Sequence, residues 1–256
     1  MHLFPIVEFM GIRFDLSAII AIVVTSIIVL VLARLSVRNL SVENPSKMQN
    51  FMEWIIEFVH STIASTMPFE KAKKFVSLGM TIIVFIFVGN LLGLPFQIVT
   101  EATTEIEWLG ITQAVLDSHD GHAHIAWWKS PTADLSVTAG LALVVFIIVH
   151  SLGLKWNRKH YLKHYFEPYP IFFPINLIET LAKPLTLALR LYANILAGEI
   201  LISTILMLNF VGIPFMMVWQ GFSIFVGAIQ AFLFTILTMV YISQAAVHED
   251  DPALSH

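Results

Sequence analysis

The chain has 256 residues, of which 57% are apolar or aromatic and only 12% are charged. Soluble domains carry about 25% charged residues, and one globular core of this size does not hide so much apolar surface from water. The composition therefore excludes an ordinary soluble domain and predicts an all-α integral membrane protein. Fourteen scattered basic residues and a net charge of −4 exclude nucleic acid as a partner. The absence of cysteine excludes disulfides and thiolate chemistry, and we expect no cofactor.

Five apolar runs are long enough to cross a membrane, which takes about 20 residues of helix. They are 16–35, 75–94, 135–154, 171–208 and 214–243. The last two would extend about 57 and 45 Å at 1.5 Å per residue, so they must tilt strongly, break, or both. Pro174 and Pro184 are possible break points in the first of them. A turn at 209–213 closes the two into an antiparallel hairpin, and we interpret 1–256 as one membrane domain.

Between the first two runs, residues 47–66 predict an amphipathic helix. Its polar side chains Glu53, Glu57 and His60 lie opposite a helically spaced apolar stripe. The stripe consists of Met48, Phe51, Met52, Ile55, Phe58, Val59 and Ile63. Because the charges make membrane crossing costly, we expect a helix lying in the membrane interface. A helix that turns its apolar face to the protein core is the alternative.

The basic residues indicate how the spans are oriented. Ten of them fall on one side of the spans, namely Arg34, Arg38, Lys47, Lys71, Lys73, Lys74, Lys155, Arg158, Lys159 and Lys163. The other side carries only Arg13 and Lys129, together with Glu8, Asp15, Glu101, Glu105, Glu107, Asp117, Asp120 and Asp134. By the positive-inside rule, the amino terminus lies outside and the carboxyl terminus lies in the cytoplasm.

The two remaining basic residues, Lys183 and Arg190, lie within the apolar run 171–208, as do Glu179 and Glu199. An arginine at the bilayer centre costs about 2.5–3.5 kcal/mol on insertion scales, so its default interpretation is functional. Lys183 is nearer the inner face, where its long side chain can reach the membrane surface. On a helix, Asn194 and Ala197 share the Arg190 face, whereas Glu199 points to the opposite side.

The last run carries a stripe of small and polar residues, Ser223, Gly227 and Gln230, in an otherwise apolar helix. Gln230 has either a functional role or the purely structural role of hydrogen bonding between helices, since a buried amide needs a partner in lipid. Carboxylates at different depths on either side of one cation indicate separate aqueous access from each side. A guanidinium is always charged and blocks a continuous proton path between the two sides.

Several segments resemble subunit a of the F-type ATP synthases of bacteria, with most similarity to the Bacillus type. They are PLTLALRLYANILAGEIL, GFSIFVGAIQAFLFTILTMVYI, GNLLGLPF, WWKSPTAD and MQNFMEWIIEFV, which together cover nearly the whole chain. The resemblance implies a non-catalytic, proton-translocating stator subunit in the bacterial cell membrane, with Na⁺ as the alternative ion. Its implied partners are a ring of c subunits, the b-subunit peripheral stalk and the remaining ATP synthase subunits. It also implies that the last two helices lie steeply tilted against the ring.

The resemblance also implies roles for individual residues. Arg190 matches the family's essential arginine, which draws a deprotonated ring carboxylate into the interface and separates two aqueous half-channels. Asn194, Glu199 and Gln230 match positions near that arginine or along the outer half-channel. Glu179 and Tyr241 are assigned to the inner half-channel.

The sequence departs from the family pattern at a few positions. Ala188 and Ala193 replace glycines that are common in the family, and the loop 101–126 is long. Ser223 stands where some members have a relay histidine. Because a hydroxyl does not titrate near neutral pH, we expect the outer route to depend on Glu199 and on water that Ser223 helps to order.

The long loop contains His119, His122 and His124 beside Asp117 and Asp120. These side chains are candidate Zn²⁺ ligands, or collect protons at the outer mouth. A solvated polar loop without a ligand is the alternative.

Three other classes of membrane protein account for parts of this pattern. A self-contained permease would bind a solute in the charged hairpin, but permeases often contain paired repeats and none is visible here. An intramembrane hydrolase would need a nucleophile with a base or a metal dyad, and the sequence has no HExxH or GxSxG motif. A structural anchor would leave the costly arginine unexplained.

Overall fold

The protein is described by a computed structural model. It covers residues 4–93, 99–106, 113–117, 123–156 and 169–246, together with residues 158, 161 and 166. The α-helices are α1 (Leu16–Ser36), α2 (Lys47–Ala64), α3 (Phe69–Gly93), α4 (Gln113–Asp117), α5 (Leu135–Trp156), α6 (Phe173–Leu206) and α7 (Gly212–Ala246). Five of them, α1, α3, α5, α6 and α7, are long and apolar enough to cross a membrane. The predicted all-α membrane fold with five spans is confirmed.

Local sequence signals account for where several helices begin. Asp15 caps α1, where its Oδ1 accepts from the backbone N–H of Ser17 at 2.9 Å. Ser46 caps α2 by accepting from the N–H of Gln49 at 3.1 Å, as helix starts favour such side-chain oxygens. Pro174 lies in the first turn of α6, where its missing N–H breaks no helical hydrogen bond.

The last two spans form an antiparallel hairpin of 34 and 35 residues. α6 runs through Pro184 without interruption, so the possible break at that proline does not occur. At 1.5 Å per residue α6 is about 51 Å long, and only tilt fits that length into a bilayer. A short 3-10 helix, Asn209–Val211, joins α6 to α7. Gly212 follows it, because a Cβ there would collide with the carbonyl oxygen of Ile205.

Two apolar clusters hold the bundle together. One joins Val59 and Ile63 of α2 to α3 and to Met239 and Ile242 of α7. The other lies where α3, α5, α6 and α7 meet, and consists of Ile86, Val145, Leu187, Leu191, Ala231 and Phe234. Both long hairpin helices are therefore anchored in the bundle.

The amphipathic helix α2 has both an inner and an outer apolar surface. Val59 and Ile63 are buried in the core, whereas the stacked rings of Phe51, Trp54 and Phe58 remain exposed. The helix thus combines a core-facing side with an exposed aromatic ribbon, as membrane-interface helices do. Its location at the membrane surface stays a prediction.

Two β-hairpins lie outside the spans, and the hydrophobic pattern did not predict them. One pairs β1 (Ile6–Phe9) with β2 (Ile12–Asp15), and the other pairs β3 (Val99–Ala102) with β4 (Ala123–Ala126). In the first, both turn residues, Met10 and Gly11, have positive φ, which a two-residue turn of this kind requires. With strands this short, only the turn residues could have identified the hairpin.

Candidate functional site

Arg190 lies at the middle of α6, about 25 Å from each end at 1.5 Å per residue. Its side chain is exposed and makes no ion pair or hydrogen bond with the part of the chain that the structure describes. Exposed apolar side chains, Leu189 and Ala193, lie beside it on the helix surface. The polar residues Thr186 and Asn194 lie one turn before and one turn after it. A permanent charge in the middle of a membrane span needs a partner or water, and the described residues supply no partner.

A neighbouring side of α6 is packed into the bundle. Leu187, Ala188 and Leu191 are buried there. Of the two alanines that depart from the family pattern, Ala188 therefore belongs to the packed side and Ala193 to the Arg190 side. Packing on one side fixes the direction in which the guanidinium leaves the helix.

A cavity of about 300 Å³ lies between α6 and α7. It is near the end of the bundle where Asn209–Val211 joins the two helices, which we call the turn end. Three predicted site residues line it: Asn194, Glu199 and Ser223. Asn194 is one helical turn from Arg190, and Glu199 lies about 14 Å along the axis from it. The structure thus brings together three residues that the family resemblance assigned to positions near Arg190 or along the outer half-channel.

The cavity wall opposite α6 is formed where two sequence segments meet. Asn90 of α3 accepts a hydrogen bond from Thr132 at 2.6 Å and donates one to the Gly227 carbonyl at 3.3 Å. Ser130 donates to the Gly89 carbonyl at 3.2 Å. Gly93 has to be glycine, because a Cβ there would lie 2.8 Å from the Cα of Ser130. The segments GNLLG and WWKSPTAD therefore belong to one hydrogen-bonded wall.

Lys129, in the same wall segment, joins the beginnings of α1 and α5. Its Nζ donates to Asp15 at 2.5 Å and to Asp134 at 2.9 Å, and 8% of its side chain is exposed. Burial opposes the charge of Lys129, but its hydrogen bonds to the two carboxylates and their charges outweigh burial and raise its pKa. Burial also opposes the charge of Asp134, yet its contacts with Lys129 and Ser136 lower its pKa overall. Lys129 and Asp134 are therefore held in their charged forms.

Gln230 is 5% exposed, and its Nε2 has no hydrogen-bond partner among the described residues. It precedes Ala231, which packs in the same apolar cluster as Leu191, the neighbour of Arg190. Gln230 therefore lies near the level of Arg190 and is not part of the cavity lining. The alternative role for it, a hydrogen bond between helices, is not seen for its amide nitrogen.

The inner pair of predicted residues, Glu179 and Tyr241, meets through Lys183. The lysine Nζ lies 3.1 Å from Glu179 Oε1 and 5.9 Å from the centre of the Tyr241 ring. Glu179 is 63% exposed and Lys183 is 33% exposed. From the sequence, the Lys183 side chain was expected to reach the membrane surface. In the structure it contacts Glu179 and Tyr241, at the end of the bundle away from the turn end.

Three polar residues of the cavity were not singled out from the sequence: Asn90, Ser130 and Trp219. An asparagine inside an apolar run was the available signal for the first. Ser130 and Trp219 carry no such signal, because serine and tryptophan are ordinary residues at membrane interfaces.

The predicted histidine group is described only in part. His119 and His122 lie outside the described residues, and His124 lies in β4, where its backbone pairs with Glu101. In the described ranges, no group of three His, Asp or Glu side chains is arranged to hold a metal ion. A Zn²⁺ site in this loop stays a prediction.

Comparison with known proteins gives a consistent family. The family model described as ATP synthase A chain matches residues 17–243. "ATP synthase subunit a" of Bacillus subtilis (strain 168) is 42% identical over 265 residues, covering 97% of this chain and 99% of the relative. The protein of the same name from Priestia megaterium is 44% identical, covering 94% and 96%. The one from Listeria monocytogenes serotype 4b (strain CLIP80459) is also 44% identical, covering 96% and 98%.

Proposed function

The chain belongs to the ATP synthase A chain family and is a proton-translocating membrane subunit of the F0 sector of a bacterial F-type ATP synthase, and from this premise we propose how it moves protons. It acts as a stator that offers two offset aqueous half-channels to the carboxylates of a rotating c-ring. Arg190 stands between the half-channels, so that a proton crosses only by travelling with the ring. The subunit itself catalyses no chemical reaction.

The observation that carries this proposal is Arg190 itself, which is exposed in the middle of α6 and has no partner among the described residues. A deprotonated carboxylate on a neighbouring helix is the natural partner for such a charge in a low-dielectric interface. Because the guanidinium never loses its proton, it repels free protons and blocks a direct leak between the half-channels. The small side chain of Ala193, one turn away, lets the neighbouring helix come close.

The outer half-channel is proposed to run through the cavity at the turn end. It is lined by Asn194, Glu199 and Ser223, a set that offers a carboxylate, an amide and a hydroxyl for water-mediated proton transfer. Gln230 is buried at about the level of Arg190, and its Nε2, which has no partner among the described residues, is a donor suited to a water molecule of this route.

The inner half-channel is proposed to pass the group formed by Glu179, Lys183 and Tyr241. Glu179 lies about 17 Å along the helix axis from Arg190 on the side away from Glu199. The two carboxylates are therefore separated along α6 by the arginine, as offset channels require. Moving one charge through 100 mV releases about 2.3 kcal/mol, and this arrangement delivers that energy to ring rotation.

The orientation of the subunit follows from its charges. Ten basic residues lie on one side of the spans, and we assign that side to the cytoplasm, with the amino terminus outside. The outer half-channel then starts at the turn end. The c-ring and the b-subunit peripheral stalk are the proposed direct partners. Protons are the proposed ion and Na⁺ is the alternative, because the ion-binding carboxylate would lie on the ring.

Cysteine crosslinking tests the proposed contact with the ring. The chain has no cysteine of its own, so Ala193→Cys gives the subunit a single thiol, one turn from Arg190. We expect it to crosslink to a cysteine placed beside the mid-membrane carboxylate of a c subunit, and the crosslink to stop ATP synthesis until it is reduced. Leu30→Cys, an exposed position on α1, is the matched control and should form no such crosslink. No crosslink from position 193, or equal crosslinking from position 30, would overturn the proposal.

A further inference from the structure

We propose that Trp219 is a positioning residue of the outer half-channel, whose indole N–H holds a water molecule between Ser223 and Glu199. This inference rests on the proposed function and names how the proton reaches Glu199. Trp219 and Ser223 are four residues apart on α7 and both line the cavity. On a helix, side chains with this spacing lie one above the other on the same face.

The hydrogen bonds of the cavity wall point to these two residues. Asn90 uses both its amide oxygen and its amide nitrogen within the wall, and Ser130 donates to a backbone carbonyl. By contrast, Trp219 Nε1 and Ser223 Oγ are buried without a hydrogen-bond partner among the described residues. Buried polar groups that protein atoms leave unpaired are usually satisfied by ordered water. A cavity of about 300 Å³ has room for several water molecules.

The chemistry of the two groups gives them different parts. An indole N–H only donates. A water molecule bound to it therefore accepts this hydrogen bond through its oxygen, and both hydrogens of the water stay free. Those hydrogens are then available to Ser223 and to the carboxylate of Glu199. A proton that arrives on this water forms a new O–H bond, and the water passes one of its other protons to the Glu199 carboxylate. The serine hydroxyl both accepts and donates, whereas the tryptophan gives up no proton and only fixes the water.

A purely structural role is the competing explanation. The Trp219 ring lies 5.3 Å from the ring of Phe222, so its size alone contributes to packing at the turn end. The substitution Trp219→Phe distinguishes the two contributions, because it removes the N–H donor and keeps an aromatic side chain. A packing role predicts an unchanged pH profile for this variant, whereas a water-positioning role does not.

The test is proton-driven ATP synthesis by the whole ATP synthase in lipid vesicles, measured at several outer pH values under one driving force. For Trp219→Phe we expect a loss of about three- to tenfold, the value of one hydrogen bond in a rate. The loss should be largest at alkaline outer pH, where proton supply limits the rate, and should shrink as the outer side is acidified. Trp54→Phe, at a 62% exposed tryptophan of α2, is the matched control and should behave as wild type. A wild-type rate and pH profile for Trp219→Phe would overturn the inference.

Two further variants make the outcome unambiguous. Trp219→His retains a ring N–H and should recover part of the rate lost in Trp219→Phe; no recovery counts against the donor role. If Trp219→Phe does not assemble, Ser223→Ala takes its place, and a wild-type pH profile there overturns the water chain. Glu199→Gln in the same assay separates this inference from the proposed function. If that variant is fully active the outer route itself is wrong, whereas a defect there beside a normal Trp219→Phe removes only the role of the tryptophan.

Discussion

The wall of the outer cavity and the exposed surface around Arg190 differ in whether their polar side chains have partners within the chain. In the wall, Asn90, Ser130 and Thr132 bond to one another or to backbone carbonyls. At the exposed surface, Arg190 has no partner among the described residues, although its charge is harder to keep in a membrane than any hydroxyl or amide.

This difference separates what the chain completes by itself from what it leaves for another subunit. Polar groups in a membrane must be satisfied, and the wall satisfies its own within the fold. Under the proposed function Arg190 is satisfied only in the assembled complex, and the packed side of α6 keeps it exposed until then. Changes in the wall should therefore cost stability, and changes at the exposed surface should cost coupling.

The largest effect is expected from Arg190→Ala. Because Arg190 is exposed and no described residue pairs with it, its removal should leave the fold and the assembly intact. Proton-driven ATP synthesis should fall by at least about a hundredfold, since both the barrier and the attraction for the ring carboxylate are lost. The measurement is ATP synthesis in vesicles, normalised to the assembled complex found by co-purification. Arg38→Ala, which removes an exposed charge beyond the end of α1, is the control, and full coupling in Arg190→Ala would refute the assigned role.

Lys129→Met should produce the largest loss of stability. The substitution keeps the length of the side chain but leaves Asp15 and Asp134, each about one-fifth exposed, facing each other without a cation. Removing one partner of a buried ion pair costs about 3–5 kcal/mol, and the partial exposure here favours about 3 kcal/mol. Urea unfolding of the purified subunit in detergent measures the change. A loss below about 1 kcal/mol would mean that the group is solvated in the way of a surface ion pair.

The same group has a predicted dependence on pH. The raised pKa of Lys129 contributes stability below the ordinary lysine pKa, and this is lost as pH rises through the folded-state value. The lowered pKa of Asp134 contributes stability above the ordinary aspartate pKa, and this is lost as pH falls through its folded-state value. The stability difference between wild type and Lys129→Met should therefore be constant around neutral pH and shrink in strong acid and strong alkali. A difference that varies between pH 6 and about 8 would contradict these assignments.

Glu199→Gln tests whether the cavity carries protons, and should lower ATP synthesis by about tenfold or more, because the amide neither binds nor releases a proton at neutral pH. The side chain keeps its size, so assembly should be normal. Glu8→Gln, which removes an exposed carboxylate from β1, is the matched control. An unchanged rate for Glu199→Gln would show that the carboxylate is not on the route.

Much of the membrane architecture could be predicted from the sequence, because hydrocarbon imposes strict rules on length and polarity. The five spans, and Arg190 as a charge within a span that has no partner among the described residues, are of this kind. The grouping of Asn194, Glu199 and Ser223 depended on family resemblance, since nothing in the sequence alone says that α6 and α7 enclose a cavity. The continuity of α6 through Pro184 was also open, because neighbouring contacts decide whether a proline ends a helix.

The wall contacts were beyond the reach of sequence patterns for a different reason. Asn90 and Thr132 are 42 residues apart along the chain, and hydropathy gives no information on which polar groups meet. The contact of Lys183 with Tyr241 on α7 was also not predicted, because it depends on how the hairpin helices are aligned. Periodicity predicts which side of a helix is buried, and contacts between distant residues require the packed structure.

The smallest effect is expected from Lys183→Met, on the inner side of the arginine. Its ion pair with Glu179 is substantially exposed at 33% and 63%, and exposed pairs of this kind contribute about 0–1 kcal/mol. The stability change measured in urea should therefore lie within that range. ATP synthesis should stay within about twofold of wild type. The substitution leaves the Glu179 carboxylate in place, and the new side chain does not block access of water to it. A loss as large as that of Arg190→Ala would mean that Lys183 also pairs with a charge on the ring. The part of α6 that depends on another subunit would then extend from Arg190 to Lys183.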